Sequence, residues 1–138
     1  MSRSGSLRIH ATIAEAETAL DPITDLLEEI GADRKAAYKV RLALDELLVN
    51  VVSYAYDGKD GEVEIVYETS DEPRTISISI IDSGKPFNPL EVEEPELSDN
   101  IHERKIGGLG IFIVKNTMDE VAYRRENNQN IMTIKKKI

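Results

Sequence analysis

Glu46 and Asn50 stand four residues apart in Arg41 to Asp57, RLALDELLVNVVSYAYD, a stretch otherwise rich in Leu and Val. At about 100° per residue, their side chains on a helix fall roughly 40° apart on one face. Val40, Leu44, Leu47, Leu48, Val51 and Ala55 form a broad stripe on the opposite side, turned to a core, while Leu42 and Val49 border the polar pair. A carboxylate among Leu and Val costs free energy unless a counter-ion, a water, a metal or a substrate proton pairs with it. From this helix alone, an exposed i,i+4 pair on an ordinary amphipathic helix remains the other reading.

Two further features follow along the chain. Asp82-Ser83-Gly84 stands where an apolar, alternating segment stops, and Gly107, Gly108 and Gly110 immediately precede the helical pattern Ile111 to Met118. A helix N-terminus offers unpaired N–H groups and a positive dipole end, and glycines let a phosphate come close, so Gly107 to Gly110 suits a polyphosphate. A strand-end Asp82 can accept from the exocyclic amine of a purine, with Gly84 leaving space for the ring. Asn50 can offer its carbonyl oxygen to Mg²⁺, which shares oxygen ligands with phosphates. Glu46, one turn earlier, can take a proton from a hydroxyl or water attacking a γ-phosphate. Singly these are common features; their order and chemical agreement make them a constellation.

The elements that must position them are legible as patterns. Leu7, Ile9, Ala11 and Ile13 alternate with polar residues as in a half-buried strand, leaving His10 on the polar side. Asp21-Pro22 reads as an N-cap with proline at the first helical position, followed by the stripe Ile23, Leu26, Leu27, Ile30 and a stop at Gly31. Ala14 to Leu20 is either an earlier helical turn or a loop. Asp33 caps the next helix, which carries the Glu46–Asn50 pair and ends near Asp57-Gly58. Val63, Ile65 and Tyr67 mark a strand, Ser70 to Arg74 a turn-rich segment, and Thr75 to Ile81 a second strand that pairs with the first as a hairpin. Lys85 to Ile106 loses periodicity and holds three prolines and many acids, as either a functional lid or a disordered segment does. Val121 to Glu126, the turn Asn127 to Asn130, and Ile131 to Lys137 make a terminal hairpin.

Composition narrows the chemistry. The 138 residues suit one domain, 1–138, with 41% hydrophobic and 31% charged residues. No run approaches the roughly 20 apolar residues of a membrane span, and MSRSGSLRIH lacks the apolar centre of a signal peptide, so a cytoplasmic location with no membrane is expected. The absence of cysteine removes thiolate nucleophiles and metal sites, and His10 and His102 are too few for a histidine-rich one. A net charge of -9 argues against direct nucleic-acid binding and for a basic protein surface as partner. The acid run Glu91 to Asp99 and the basic run Lys135 to Lys137 read as solvated surface.

ELLVN (Glu46 to Asn50), DSGKPFNP (Asp82 to Pro89) and GGLG (Gly107 to Gly110) resemble the N, G1 and G2 boxes of the GHKL, or histidine-kinase-like, ATPase superfamily. Within it the chain is most similar to the anti-sigma-factor serine/threonine protein kinases, along nearly its whole length. The resemblance implies an α/β (α+β) two-layer sandwich, the Bergerat ATP-binding fold, with helices on one face of a mixed, mostly antiparallel sheet and an ATP lid at about 85–106. It implies ATP and Mg²⁺ as cofactors, Glu46 as catalytic base, Asn50 as Mg²⁺ ligand, and Asp82 on the adenine amino group beside Gly84. Gly107, Gly108, Leu109 and Gly110 would border the phosphates, and Arg104 or Lys105 would reach one. Expected partners are a STAS-type antagonist, which is phosphorylated, and a sigma factor, which is sequestered, with a homodimer as the common assembly. A regulatory module that switches partners on ATP occupancy with little chemistry is the alternative.

Overall fold

The computed structural model describes residues 2–91 and 108–138, the side chain of Leu109 excepted. In chain order the elements are β1 (Ser4–His10), α1 (Ile13–Glu29), α2 (Arg34–Asn50), a π-helical turn (Val51–Ala55), β2 (Glu62–Asp71), β3 (Arg74–Asp82), a 3₁₀ turn (Pro89–Glu91), α3 (Gly108–Thr117), β4 (Glu120–Glu126) and β5 (Gln129–Lys137). The strands form one sheet in the order β1-β2-β3-β5-β4, and each neighbouring pair is antiparallel. The mixed, mostly antiparallel sheet expected from sequence is thus antiparallel throughout the described residues.

Period-two alternation decides which face is covered. In β3, Ile76, Ile78 and Ile80 are buried while Thr75, Ser77, Ser79 and Ile81 between them are only half-buried. The buried set joins Ile65 of β2, Ile134 of β5, Leu27 of α1, Leu44 and Leu47 of α2 and Val114 of α3 in one apolar cluster, so the helices lie on a single face. Each such fully buried aliphatic side chain contributes about 1.5–3 kcal/mol relative to its exposure. α2 packs against both α1 and α3, which makes the helix bearing Glu46 and Asn50 the centre of its layer. None of the described helices is long and apolar enough to cross a membrane.

Several boundaries differ from the sequence reading. The strand expected over Leu7 to Ile13 is β1 and stops at His10, with Ile13 already in α1. Helix α1 begins there rather than at Asp21-Pro22, because Thr12 supplies the cap, its side chain accepting from Glu15 N at 3.2 Å. Ala14 to Leu20 is therefore helical and Pro22 lies inside the helix. Its missing N–H leaves the Thr18 carbonyl without the usual donor, and both residues lie on the exposed side, where water can serve instead. Asp33 caps α2 as expected, accepting from Ala36 N at 3.0 Å. At the terminal hairpin the turn is shorter than Asn127 to Asn130: Asn127 and Asn128 both hold positive φ, 52° and 61°, which closes a two-residue turn. Asn130 consequently belongs to β5, where it faces Asp82 of β3.

Candidate functional site

Asn50 is the last residue of α2 and is only 5% exposed, held down by the apolar stripe that also buries Leu44, Leu47 and Leu48. Its Nδ2 has no hydrogen-bond partner. An unpaired amide buried this way costs about 1–3 kcal/mol, which marks a place where a bound group would be welcome. Glu46, a turn earlier, is half-buried. Burial pushes its carboxyl above the ordinary range, and the neighbouring Asp45 charge adds to that. Gly110, in the first turns of α3, lies directly against it: a β-carbon there would overlap Glu46 Oε2. With any larger residue there, the Glu46 carboxylate would have to swing aside.

Asp82 closes β3 and is 4% exposed. Its Oδ1 accepts from Gly84 N at 2.9 Å and from Asn130 Nδ2 at 2.9 Å, whereas among the described residues no hydrogen bond reaches Oδ2. Burial raises its carboxyl above the ordinary value, against the hydrogen bonds from Asn130 and Gly84 and the Arg125 charge, which pull it down. Gly84 is required by close approach, since any β-carbon would strike the Ala55 carbonyl at the end of the π-helical turn. That turn serves as the anchor of the 82–87 loop: Ala55 O accepts from Lys85 N at 2.9 Å, and Tyr56 Oη accepts from Ser83 N at 2.8 Å while donating to Glu62 O at 2.6 Å. On the other side Arg125 Nη1 donates to Gly84 O at 2.8 Å.

The two halves meet. Asn50, Asp82, Phe87, Tyr123 and Asn130 line one cavity of about 20 Å³, room for a single water-sized group. Phe87 in turn stacks against Tyr54 with ring centroids 5.3 Å apart. A larger groove, about 600 Å³, lies at the opposite end of the sheet around Ser70, Thr75 and Lys135 to Lys137 and contains none of these groups.

Of the residues singled out from sequence, the structure therefore brings Asn50 to Asp82 and Glu46 to Gly110, and sets Gly84 in the loop beneath Asp82. Gly108 is the first residue of α3. Arg104, Lys105 and Gly107 lie outside the described residues, as do the Leu109 side chain and most of the 85–106 segment; within its described part, Pro89–Glu91 is a 3₁₀ turn. Asn130 and Tyr56 were not found by sequence reasoning. Asn130 looked like a turn residue, and only the β3–β5 register reveals its partner. The Asn127-Asn128 pair, a two-residue turn signal, was the available clue.

Residues 9–136 match the histidine kinase-like ATPase domain. The chain belongs to this family. Among curated relatives it is 24% identical over 134 residues to the serine/threonine-protein kinase BtrW of Bordetella bronchiseptica, covering 96% of this chain and 93% of that one. To the serine-protein kinase RsbW of Staphylococcus epidermidis it is 28% identical over 120 residues, covering 82% and 74%. Its fold is shared with a solved structure of the RsbU and RsbW domains of a Mycobacterium tuberculosis protein, with a TM-score of 0.69 and 19% identity. That match takes in 98% of this chain and 32% of the solved one. The histidine kinase-like ATPase fold and the anti-sigma-kinase kinship expected from the three boxes are both borne out.

Proposed function

We propose that this chain is an ATP- and Mg²⁺-dependent serine/threonine protein kinase that acts as an anti-sigma regulatory factor in the cytoplasm. It would phosphorylate a STAS-type antagonist and sequester a sigma factor, with a homodimer as its working assembly. One observation carries the reading: a buried Asp82 carboxylate, with one oxygen that accepts no hydrogen bond from the described residues, lines a small cavity together with the buried Asn50. The cavity is too small for a purine ring but suits its amino group. The ring would lie at the mouth, with the amine reaching Asp82 Oδ2.

The residues present fit a phosphate-bound Mg²⁺. Mg²⁺ takes oxygen ligands and shares them with phosphates, so one protein oxygen at the site is enough to hold it there. Asn50 Oδ1 would be that ligand, and Mg²⁺ when bound neutralises charge on the transferring phosphate. Glu46 would orient the acceptor hydroxyl and take its proton as the oxygen bonds to the γ-phosphorus and the bond to the β–γ bridging oxygen of ADP breaks. A carboxyl raised by burial is better poised for that task than an ordinary surface Glu. Gly110 and the N-terminus of α3 would accommodate the phosphates, with Gly107, Gly108, Leu109 and Arg104 or Lys105 beside them.

Thermal melting with ADP or ATP and Mg²⁺ tests binding. Free ligand at about 100 times Kd should stabilise the parent by roughly 2.7 kcal/mol, and Asn50→Ala and Asp82→Ala should lose most of that shift. Phosphate transfer to a STAS-domain protein tests the chemistry. Glu46→Gln should retain the melting shift and lose transfer; retained transfer would remove Glu46 from the base role.

A further inference from the structure

Asn130 makes four hydrogen bonds through one side chain. Nδ2 donates to Asp82 Oδ1 at 2.9 Å and to Lys85 O at 2.8 Å, while Oδ1 accepts from Phe87 N at 3.3 Å and from Tyr123 Oη at 2.5 Å. Every polar position of the amide is used, and each is matched in kind. Turning the amide over would set its oxygen against a carboxylate and a carbonyl and its nitrogen against N–H and O–H donors. The Tyr123 hydroxyl and the Phe87 amide thus lock Asn130 with its nitrogen toward Asp82. Asn130 is 5% exposed, so water does not substitute for a lost partner at little cost.

This arrangement has a consequence for which base Asp82 can read. A carboxylate with both oxygens free is well matched to guanine, whose ring N1–H and 2-amino group are adjacent donors that engage two oxygens at once. Adenine presents a single exocyclic amine. With Oδ1 already accepting from Gly84 N and Asn130 Nδ2, Oδ2 is the oxygen that the described residues leave for a ligand.

We propose that Asn130 is a positioning residue that sets nucleobase specificity: by occupying Asp82 Oδ1, it leaves one acceptor, which suits a 6-amino purine and denies guanine its two-point contact. This rests on the reading of Asp82 as the base-recognising group. Tyr123 of β4 donates to the amide oxygen, so the terminal hairpin contributes to the site through Asn130.

The test is the ratio of ADP to GDP affinity, each with Mg²⁺, measured by calorimetry on the full chain as parent, Asn130→Ala, Asn130→Asp and Tyr123→Phe, with circular dichroism and melting of each unliganded variant. The parent should favour ADP. Asn130→Ala should narrow the ratio by about tenfold or more, the scale of one hydrogen-bond discrimination. Tyr123→Phe, which removes one oxygen and keeps the ring, should narrow it in the same direction by less, and remains informative if Asn130→Ala does not fold.

Asn130→Asp sets a second carboxyl against Asp82, so its ADP affinity should fall relative to the parent's as pH rises through the carboxylate range. Arg125 of β4 and Tyr56, just after the π-helical turn, the other charged and titratable groups acting at Asp82 among the described residues, are unchanged in every variant. A parent-like ratio in folded Asn130→Ala and Tyr123→Phe overturns the inference and leaves the function standing. A parent that binds neither nucleotide overturns both.

Discussion

The two ends of β5 each hold a carboxylate, and the fold treats them in opposite ways. At the first end Asp82 is 4% exposed, accepts its hydrogen bonds on one oxygen only, and has its carboxyl raised chiefly by burial. At the second end Asp119, exposed, accepts from Lys137 N at 2.7 Å and pairs with Lys136 Nζ at 3.4 Å. The Lys137 N–H is the main reason its carboxyl is lowered, with Lys136 helping. Asp119 therefore contributes to stability, as a group that fastens α3 and β4 to the last strand would. The buried charge of Asp82 costs stability in the unliganded protein, as the ligand-binding role proposed for it requires.

The sharpest way to break this contrast is Gly84→Ala. The new methyl meets the Ala55 carbonyl, a backbone group that cannot rotate away, so the π-helical turn or the 82–87 loop must move. A loss of about 1–3 kcal/mol or more in chemical denaturation is expected, together with loss of nucleotide binding. A parent-like midpoint would mean that the loop is not held as tightly as the Ser83, Gly84 and Lys85 hydrogen bonds imply.

Next in size is the pair Asp82→Ala and Asp82→Asn. Alanine leaves Gly84 N and Asn130 Nδ2 without their acceptor and should cost about 1–3 kcal/mol. Asparagine keeps an oxygen for both donors and removes the buried charge, so it should be at least as stable as the parent at neutral pH. The sign follows from the raised carboxyl: ionising Asp82 costs the fold nothing below the ordinary value of 3.8, and the cost grows as pH rises through the folded-state value. The advantage of Asp82→Asn should accordingly vanish in acid. Equal losses for both substitutions at pH 7 would show that burial of the charge is not what distinguishes this end.

Gly110→Ala tests the other half of the site and has two opposing terms. In a helix interior alanine is favoured over glycine by about 1 kcal/mol, but here the methyl overlaps the Glu46 carboxylate. The overlapping atom is the end of a side chain that can swing aside, so a net loss of about 1 kcal/mol is expected, smaller than at Gly84. In a Glu46→Ala background the overlap is gone and the same substitution should stabilise. Denaturant midpoints of the four proteins decide it; a loss of equal size in both backgrounds would show that Glu46 is not what Gly110 accommodates.

How far sequence reached follows the range of the interaction. The α2 stripe and the strand alternation are local periodicities, and burial enforced them. Glu46, Asn50, Asp82 and Gly84 were legible because polar residues and glycine break those patterns. Asn130 was not, because its partner lies 48 residues away and depends on a register that a two-residue turn sets. Asp21-Pro22 misled for a related reason: it is a sound local start signal, overridden by the Thr12 cap and by the burial of Ala16, Ala19 and Leu20 against the core. The π-helical turn left no signal, since Val51 to Ala55 continues the apolar pattern of α2; its role is to aim the Ala55 carbonyl and Tyr56 at the loop beneath Asp82.

The smallest effect is expected at the far end, and it has the opposite pH dependence. Asp119→Asn keeps a side-chain oxygen for Lys137 N but loses the charge paired with Lys136. The site is partly exposed and solvent screens it, so the loss at neutral pH should stay below about 1 kcal/mol. Because the carboxyl is lowered in the fold, its contribution is present above the ordinary value of 3.8 and disappears as pH falls through the folded-state value. Plotted against pH, the stability difference from parent should be negative near neutrality for Asp119→Asn and zero or positive there for Asp82→Asn, with both converging toward zero in strong acid. Adding ADP and Mg²⁺ should leave the Asp119→Asn difference unchanged while turning that of Asp82→Asn negative, because only the parent's Asp82 then has a ligand to recover the cost of its burial. Curves of the same sign with and without nucleotide would place both carboxylates in the structural category and remove the division of labour between the two ends of β5.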